Sequence, residues 1–578
     1  MSFTEPFEKT ISTDVLVVGG GIAGLTAAIA AKETAPELDV LVVDRATGSA
    51  GWAGKAPRTA GHFTFVTPED DPEDFIKYIV CNIGCFLNDQ ILLREYAYAT
   101  RKLIEQLDLW GVTIIRRPDG KVQYNKIGPF PWGTTLADLD MCARMAAYAK
   151  RLGIKFLDKV FVADLISSDG HVTGAVGFSL LDGTFYVFRA RATVLACGNQ
   201  NYGLMPLWNG KGIGILAAYK VGVEMRNAEF GNYGGGFLNA DMPQSGDWLV
   251  TGQDFLYNAK GEYLTPKYRP GPRPDSDPEA YLAWYRETTA GNGPIYVDVL
   301  TSISDNQRKF FFALPGARPL ADAFWKNLIM KTMVVRKDPQ AKLVRVVHAF
   351  QGEISCLKVN TYYSTNLPGL FAVGDISFGG SALYGAVPSP PGRIKGSGLM
   401  NAVFSGVKGG SSAAVYAAAL KAAKIEPEVN YSQVKELKDR ILTPLSRENG
   451  IPPFEVIYKV QEVIYPLDYS IIKSGDRLKE ALDKVIVIRE ELDRMKAEDY
   501  HELCNCMFAE SMVLCAEMFY RASLMRTESR GFHYREDYPK SDNKNWLKWI
   551  VIKKEGEAMK LYTEPVPIEK YPYKPLEE

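Results

Sequence analysis

A chain of 578 residues is too long for one compact core, so about two to four domains are expected. Its apolar fraction of 46% and charged fraction of 23% fit a globular protein in water, and a net charge of −1 gives no bulk field to gather nucleic acid or an acidic membrane. No uninterrupted run of about 18 apolar residues occurs, so no membrane span is predicted.

The N-terminal residues are acidic and lack an apolar signal core, which makes the cytoplasm the expected location. The first predicted unit is a strand from Asp14, a glycine turn, an alanine-rich helix and a second strand, Val40 to Asp44. Its glycines, Gly19, Gly21 and Gly24, spell G-x-G-x-x-G. Gly19 permits the tight turn, Gly21 lets backbone approach a pyrophosphate, and Gly24 lets the helix pack close to the strand. The helix start, with the amides of Ile22 and Ala23, then faces the phosphates. Asp44 stands where an acid would take a ribose hydroxyl. A bare glycine turn is the competing reading, but the strands, helix and acid together predict a dinucleotide site.

Residues 71–112 carry helical spacing, and residues 137–152 read as a second amphipathic helix. Short strands follow at Lys155–Leu157, Val160–Ser167, Val172–Ser179 and Thr184–Ala190, with Asp169-Gly170 and Asp182-Gly183 as hairpin turns. A buried strand at 192–198 resumes a doubly wound sheet, so the pattern is a β-meander set into an α/β fold. Residues 225–345 change character, with a glycine-rich loop at 233–236, a proline-rich stretch at 266–278 and a clipped strand at 293–298. The chain returns through a strand ending in Gly374-Asp375, then a glycine- and alanine-rich helix around 398–419. Residues 431–526 read as mostly helical, with a core stripe at Leu478, Leu482, Val485, Ile488 and Leu492, and the tail at 565–575 as extended. The expected domains are 1–225 and 351–425 for the two parts of the dinucleotide domain, 226–350 for an inserted α+β cap, and 426–578 for a helical domain and tail.

The eight cysteines show no C-x-x-C pair and no iron–sulfur spacing, so they read as small buried apolar residues. With five histidines, a multi-histidine metal centre is not expected.

Several segments together resemble the FAD-dependent oxidoreductase 2 superfamily of succinate dehydrogenase, fumarate reductase, L-aspartate oxidase and adenylylsulfate reductase flavoproteins. They are the first glycine motif, Ala196-Cys197-Gly198, the Gly210-Lys-Gly212-Ile-Gly214 turn, Leu370 to Asp375, and Arg526 to Pro539 with Asn545 to Lys548. The segments Ala175 to Ser179, Phe185 to Phe188 and Gly293 to Tyr296, with the 72–112 helix, tilt the likeness toward the alpha chain of adenylylsulfate reductase.

The resemblance implies FAD, held by the first motif and by Asp44, Arg45, Gly51, Trp52, Lys55, Val162, Ala196, Cys197, Gly198, Gly212, Gly214, Gly374 and Asp375, with Ser397 and Leu399 beside the flavin. Trp52 and Trp208 have core or cofactor packing as their plainer reading. The segment after Asp44 lacks the histidine that some relatives bond to flavin, and His62 falls late, so dissociable FAD is expected.

By the same resemblance, His348 in His348-Ala-Phe-Gln-Gly takes a substrate-clamp position, and Arg393 takes the substrate arginine position, where a guanidinium fork suits a carboxylate. Two departures stand out. The family's second histidine is replaced at Gly234, and its cap arginine motif is not recognisable near 251–262. Tyr233 and Tyr384 are candidate donors in their place, and Lys267, Arg269 or Arg273 could serve from the cap.

The implied activity is hydride transfer between flavin N5 and an unsaturated or saturated carboxylic acid or related carbonyl compound. The alternatives are adenylylsulfate-type sulfur chemistry and a flavin relay with a degenerate site. An anionic small-molecule substrate, an electron-transfer partner such as an iron–sulfur protein, and a possible oligomer are the expected partners, with no nucleic acid.

Overall fold

The computed structural model describes residues 8–58, 61–126, 129–204, 210–237, 256–268, 278–298, 318–320, 323, 343–352, 354–377 and 397–576. Strand β1 (Glu8–Val18) leads into helix α1 (Ile22–Thr34) and strand β2 (Val40–Asp44), and β1 and β2 run parallel with Val15 opposite Val40. Residues Val15 to Val18 are buried on both faces, which explains their unbroken apolar run. The short strands β3 (His62–Phe65) and β4 (Gly133–Leu136) pair apart from this sheet.

Strands β5 (Lys155–Asp158), β6 (Val160–Ser168), β7 (His171–Ser179) and β8 (Phe185–Leu195) complete the main sheet in the order β5-β2-β1-β8-β7-β6. Asp169 and Gly170, with φ of 49° and 76°, make the left-handed turn expected between β6 and β7. The two strands expected at 184–190 and 192–198 are one strand, β8. Arg191, between the two expected strands, continues β8, and its guanidinium donates to buried Asp14 at 2.6 Å. The outer edge of β8 is divided: Phe185 to Arg189 pair antiparallel with β7, and Thr193 to Leu195 pair parallel with a late strand, Leu370–Ala372.

The helical stretch expected over 71–112 is interrupted. One helix covers Pro72–Tyr78 and widens through Ile79–Ile83, and a second covers Gln90–Leu109. Cys85 and Phe86 between them take left-handed φ of 46° and 65°, and the Asp89 carboxylate caps the restart by accepting from the Ile91 and Leu92 amides.

The two-residue strand β9 (Met225–Arg226) pairs with the C-terminal hairpin. After it comes a separate four-stranded antiparallel sheet. Its strands are β10 (Asn232–Phe237), β11 (Leu256–Tyr257), β12 (Ile295–Asp298) and β13 (Leu343–Gly352), in the order β10-β13-β12-β11. The glycine-rich loop expected at 233–236 is therefore strand β10. Pairing with β13 overrides the poor strand preference of glycine.

The late strand, β14 (Leu370–Ala372), returns the chain to the main sheet. The following helix, Ser397–Ala422, crosses α1 closely: a Cβ on Gly406 would stand 2.7 Å from Thr26 Cβ, and one on Gly410 would collide with the Ala27 carbonyl oxygen. The C-terminal region holds helices Tyr431–Ser446, Pro453–Ile464, Gly475–Arg489 and Tyr500–Met525. Leu478, Leu482, Val485 and Ile488 form the expected buried stripe. The Tyr500–Met525 helix is long and apolar enough to cross a membrane by length and composition, a point the uninterrupted-run criterion missed; 83% of that window is buried inside the protein. Strands Lys548–Glu555 and Ala558–Pro565 form a hairpin ahead of the extended tail.

Candidate functional site

The carboxyl ends of β1, β2, β8 and β14 converge on one crevice, the position where wound α/β sheets bind ligands. Gly19 turns the chain out of β1 with φ of 107°, and a Cβ there would lie 2.5 Å from the Ala196 carbonyl oxygen. A Cβ on Gly24 would collide with the Gly19 carbonyl oxygen. Gly21 caps α1 with extended backbone and no side-chain bond, and the first bond within the helix runs from the Leu25 amide to the Gly21 carbonyl at 2.9 Å. The amides of Ile22, Ala23 and Gly24 thus have no carbonyl partner within the helix and suit an anion.

Asp44 ends β2 and is engaged more fully than a simple ribose ligand: one oxygen accepts from the Gly20 amide and the other from the Ala46 amide, both at 2.6 Å. Burial pushes its carboxyl up, against those two bonds. Each oxygen keeps a second lone pair, so a ribose hydroxyl can still be held. Asp158, in register beside Asp44, accepts from the Ser49 amide at 3.1 Å and fixes the loop that carries Gly51, Trp52 and Lys55. Gly51 is left-handed with φ of 74°, and Trp52 is 56% exposed, so the core reading of Trp52 does not hold. Trp208 lies outside the described residues.

On the opposite wall, the Ala196 amide donates to the Val18 carbonyl, the half-buried Cys197 turns its sulfur toward that same carbonyl at 3.5 Å, and burial pushes its thiol up to about 12. The 210–214 turn is wedged between strand ends: a Cβ on Gly214 would sit 2.5 Å from Ile376 and 2.9 Å from the Cys197 sulfur. Gly374 has φ of 73°, its amide donates to Ser405 Oγ at 2.9 Å, and a Cβ there would lie 2.6 Å from Ala23 Cβ. The late strand end therefore packs directly on the first turn of α1. Ser397 is buried and Leu399 half-buried where the next helix starts.

Three contributors have no local sequence signal. Asn199 Oδ1 accepts from Lys55 Nζ at 2.6 Å, and the Lys55 ammonium also lies 3.5 Å from Asp375. Phe508, from the long C-terminal helix, takes the Arg45 guanidinium and the Lys211 ammonium each 5.1 Å from its ring centre. Burial, then the nearby Arg45 charge, lowers the Lys211 ammonium. The same ring meets Phe161 edge-on, one residue before Val162 on β6. A helix more than four hundred residues downstream thus walls the Asp44 end of the crevice.

The substrate-side candidates divide. Strand register sets Tyr233 opposite Phe350 and Gly235 opposite His348, so the backbones of Tyr233 and His348 occupy nearby rungs of one sheet. Arg393, Tyr384, Arg269 and Arg273 lie outside the described residues. Lys267 is corrected as a cap donor, because it is bound to Glu287 at 2.7 Å. Burial would raise the Glu287 carboxyl, but bonds from Asn258, Lys267, Tyr268 and Asn292 hold it down to about 2.

The segment leading into β10 is anchored by buried charges. Arg526 donates to Glu229 at 2.8 Å and to Glu528 at 2.9 Å, and Arg530 donates to Glu528 at 2.8 Å. Lys473 donates to the Glu229 carbonyl and to His533 Nδ1, both at 3.0 Å, and His533 Nε2 faces the Arg526 carbonyl at 3.2 Å. Burial keeps His533 well below its ordinary range, so its ring is neutral, with Nε2–H as the donor that this pattern requires.

Comparison with known proteins places these parts together. A family profile described as an FAD binding domain matches residues 14–232, and one described as the fumarate reductase flavoprotein C-terminal region matches residues 461–578. The chain is 25% identical over 572 residues to the first subunit of fumarate reductase (CoM/CoB) from Methanothermobacter marburgensis, covering 94% of this chain and 97% of that one. It is 27% identical over 568 residues to an uncharacterized FAD-dependent oxidoreductase of Methanocaldococcus jannaschii, covering 94% and 96%. In fold it resembles FrdA of Escherichia coli quinol fumarate reductase, with a TM-score of 0.81, 22% identity and 98% of both chains covered. It also resembles adenylylsulfate reductase of Archaeoglobus fulgidus, with a TM-score of 0.78, 22% identity and 97% of both chains covered.

Proposed function

Because the chain belongs to the FAD-dependent oxidoreductase 2 superfamily, as an FAD-dependent enzyme of the fumarate reductase flavoprotein type, we propose that it interconverts an unsaturated and a saturated carboxylic acid or related carbonyl compound. The observation that carries this reading is the arrangement of the crevice and the mid-chain sheet. The glycine turn at Gly19 to Gly24 presents helix-start amides with no partner within the helix, Gly374 packs the late strand end against that turn, and the anchored Glu229 segment feeds into the strand that carries Tyr233 two residues before Gly235, which pairs with His348.

FAD, held by the turn at Gly19 to Gly24 and by the strand ends at Ala196 to Gly198 and Gly374, would supply a hydride equivalent when bound. The chain supplies the rest. Arg393 grips the substrate carboxylate and disperses charge that builds on it, and His348 holds the other end of the acceptor. Tyr233 or Tyr384 delivers the second proton. Glycine at 234 removes one donor of the fumarate-type site, which favours an acceptor less charged than a dicarboxylate. The FAD is dissociable in this reading, since no histidine occurs between Asp44 and His62, and His62 is buried on β3.

The sequence lacks cysteine spacing for an iron–sulfur cluster, and relatives carry names that make them one component of a larger reductase. Electrons are therefore assigned to a separate electron-transfer partner, an iron–sulfur protein being the expected kind. Anaerobic reoxidation of the reduced flavin by a panel of enoates tests the function. Rapid reoxidation by at least one enoate is expected. Reoxidation by adenylylsulfate with release of AMP, and by no enoate, would replace this reading with sulfur chemistry, and reoxidation by neither would leave an electron relay.

A further inference from the structure

We propose that Lys55 and Asp375 form an ion pair that sets the reduction potential of the bound flavin, with the lysine charge raising it and the carboxylate opposing it. The pair bridges the two walls of the crevice. Asp375 follows β14 and Asn199 follows β8, and these two strands run parallel with Leu370 opposite Thr193. Lys55 comes from the loop after β2, on the other wall, and its ammonium reaches both Asn199 at 2.6 Å and Asp375 at 3.5 Å. Gly54 brings that loop against the helix start, because a Cβ on Gly21 would lie 3.5 Å from Gly54 Cα. The side chains of Lys55 and Asp375 are 14% and 19% exposed, so water screens the pair weakly.

A cation and an anion held there act on the flavin as charges rather than as contacts of shape. A flavin that takes up two electrons and one proton gains one negative charge overall. A lysine ammonium nearby favours that state and a carboxylate disfavours it. The inference rests on FAD as the resident cofactor and is independent of which acceptor the enzyme reduces, because its measurement needs no substrate.

Midpoint potentials of the bound flavin, read by dye-equilibrated spectral titration of the full chain, test it. Lys55→Met is expected to shift the oxidised-to-reduced equilibrium at least tenfold toward oxidised, about 30 mV for a two-electron couple. Lys55→Arg is expected to stay within threefold of the parent. Asp375→Asn should shift the equilibrium the opposite way, and the double variant Lys55→Met with Asp375→Asn should fall between the two single variants. An unmoved potential in Lys55→Met with normal FAD content would overturn the proposal. So would shifts of the same sign in Lys55→Met and Asp375→Asn, which would mark a general disturbance of the crevice. If Lys55→Met retains no FAD, Lys55→Gln is titrated instead; loss of FAD from that protein as well, with unchanged helical circular dichroism, would make Lys55 a retention residue and overturn the proposal equally.

Discussion

At the cofactor crevice, α1 begins with amides that have no partner within the helix, and two cations share the Phe508 ring with no carboxylate bonded to either among the described residues. Around Arg526 the treatment of charge is reversed: Glu229, Glu528, Arg530, Lys473 and His533 are buried and bonded to one another. The difference separates a place built to receive an anion from a place built to hold chain segments together. A binding crevice keeps polar capacity in reserve, whereas a structural centre pairs its charges, because an uncompensated charge in the interior is costly.

The sharpest way to break this contrast is to remove the centre of the charged cluster. Arg526→Met should cost about 3–5 kcal/mol, since it strips the bonded cation from the buried Glu229 carboxylate and leaves Glu528 with Arg530 alone. Chemical denaturation followed by tryptophan fluorescence measures it, and a cost below about 1 kcal/mol would place Arg526 among dispensable surface pairs. At the crevice, Gly24→Ala should leave the fold in place and weaken FAD binding by roughly 100-fold, because its Cβ meets the Gly19 carbonyl oxygen and displaces the phosphate-binding turn. Flavin fluorescence quenching on titration of apoprotein reads this directly, and parent-like affinity would sink the assignment.

The crossing of α1 with Ser397–Ala422 should be less sensitive. Gly410→Leu is expected to cost about 1–3 kcal/mol by overpacking against Ala27, seen as a lowered melting temperature of the apoprotein. The smallest effect is one of pH. His533 is held neutral by burial, whereas an unfolded histidine titrates near its ordinary value of about 6.5. Below that pH the unfolded chain binds a proton that the folded chain refuses. Stability therefore falls as pH drops below about 6.5, by at most about 1.4 kcal/mol per unit, and continues to fall until the lowered folded value is reached. His533→Gln should flatten the slope of melting temperature between about pH 7.5 and 5.5, the window around that ordinary value; an identical slope would remove this histidine from the account.

The crevice was legible wherever its chemistry is local. The turn at Gly19 to Gly24 and the acid at Asp44 fall within one β-α-β unit, and the structure keeps them together. What escaped the sequence depends on partners far along the chain. Phe508 and Lys211 meet only through folding, and Lys267 loses its candidacy to a glutamate that no spacing rule connects to it. Local preference also misled where pairing decides the outcome. Residues 233–236 read as a loop but lie in a ladder with β13, and 184–190 and 192–198 read as two strands but form the single β8, with Arg191 paired to Asp14 inside it. The Tyr500–Met525 helix escaped an uninterrupted-run test because Glu510 and Glu517 punctuate it.

The contact of Gly374 with Ala23, and of Gly410 with Ala27, has a consequence for biosynthesis. Domains tend to fold from the N-terminus as a chain emerges from the ribosome. Here the glycine turn emerges early, yet the surfaces that seal it emerge only after the mid-chain sheet has been made. Loading with flavin is consequently a late event in the life of the nascent polypeptide, and a fragment stopped before residue 397 would carry the recognisable fingerprint without retaining the coloured cofactor.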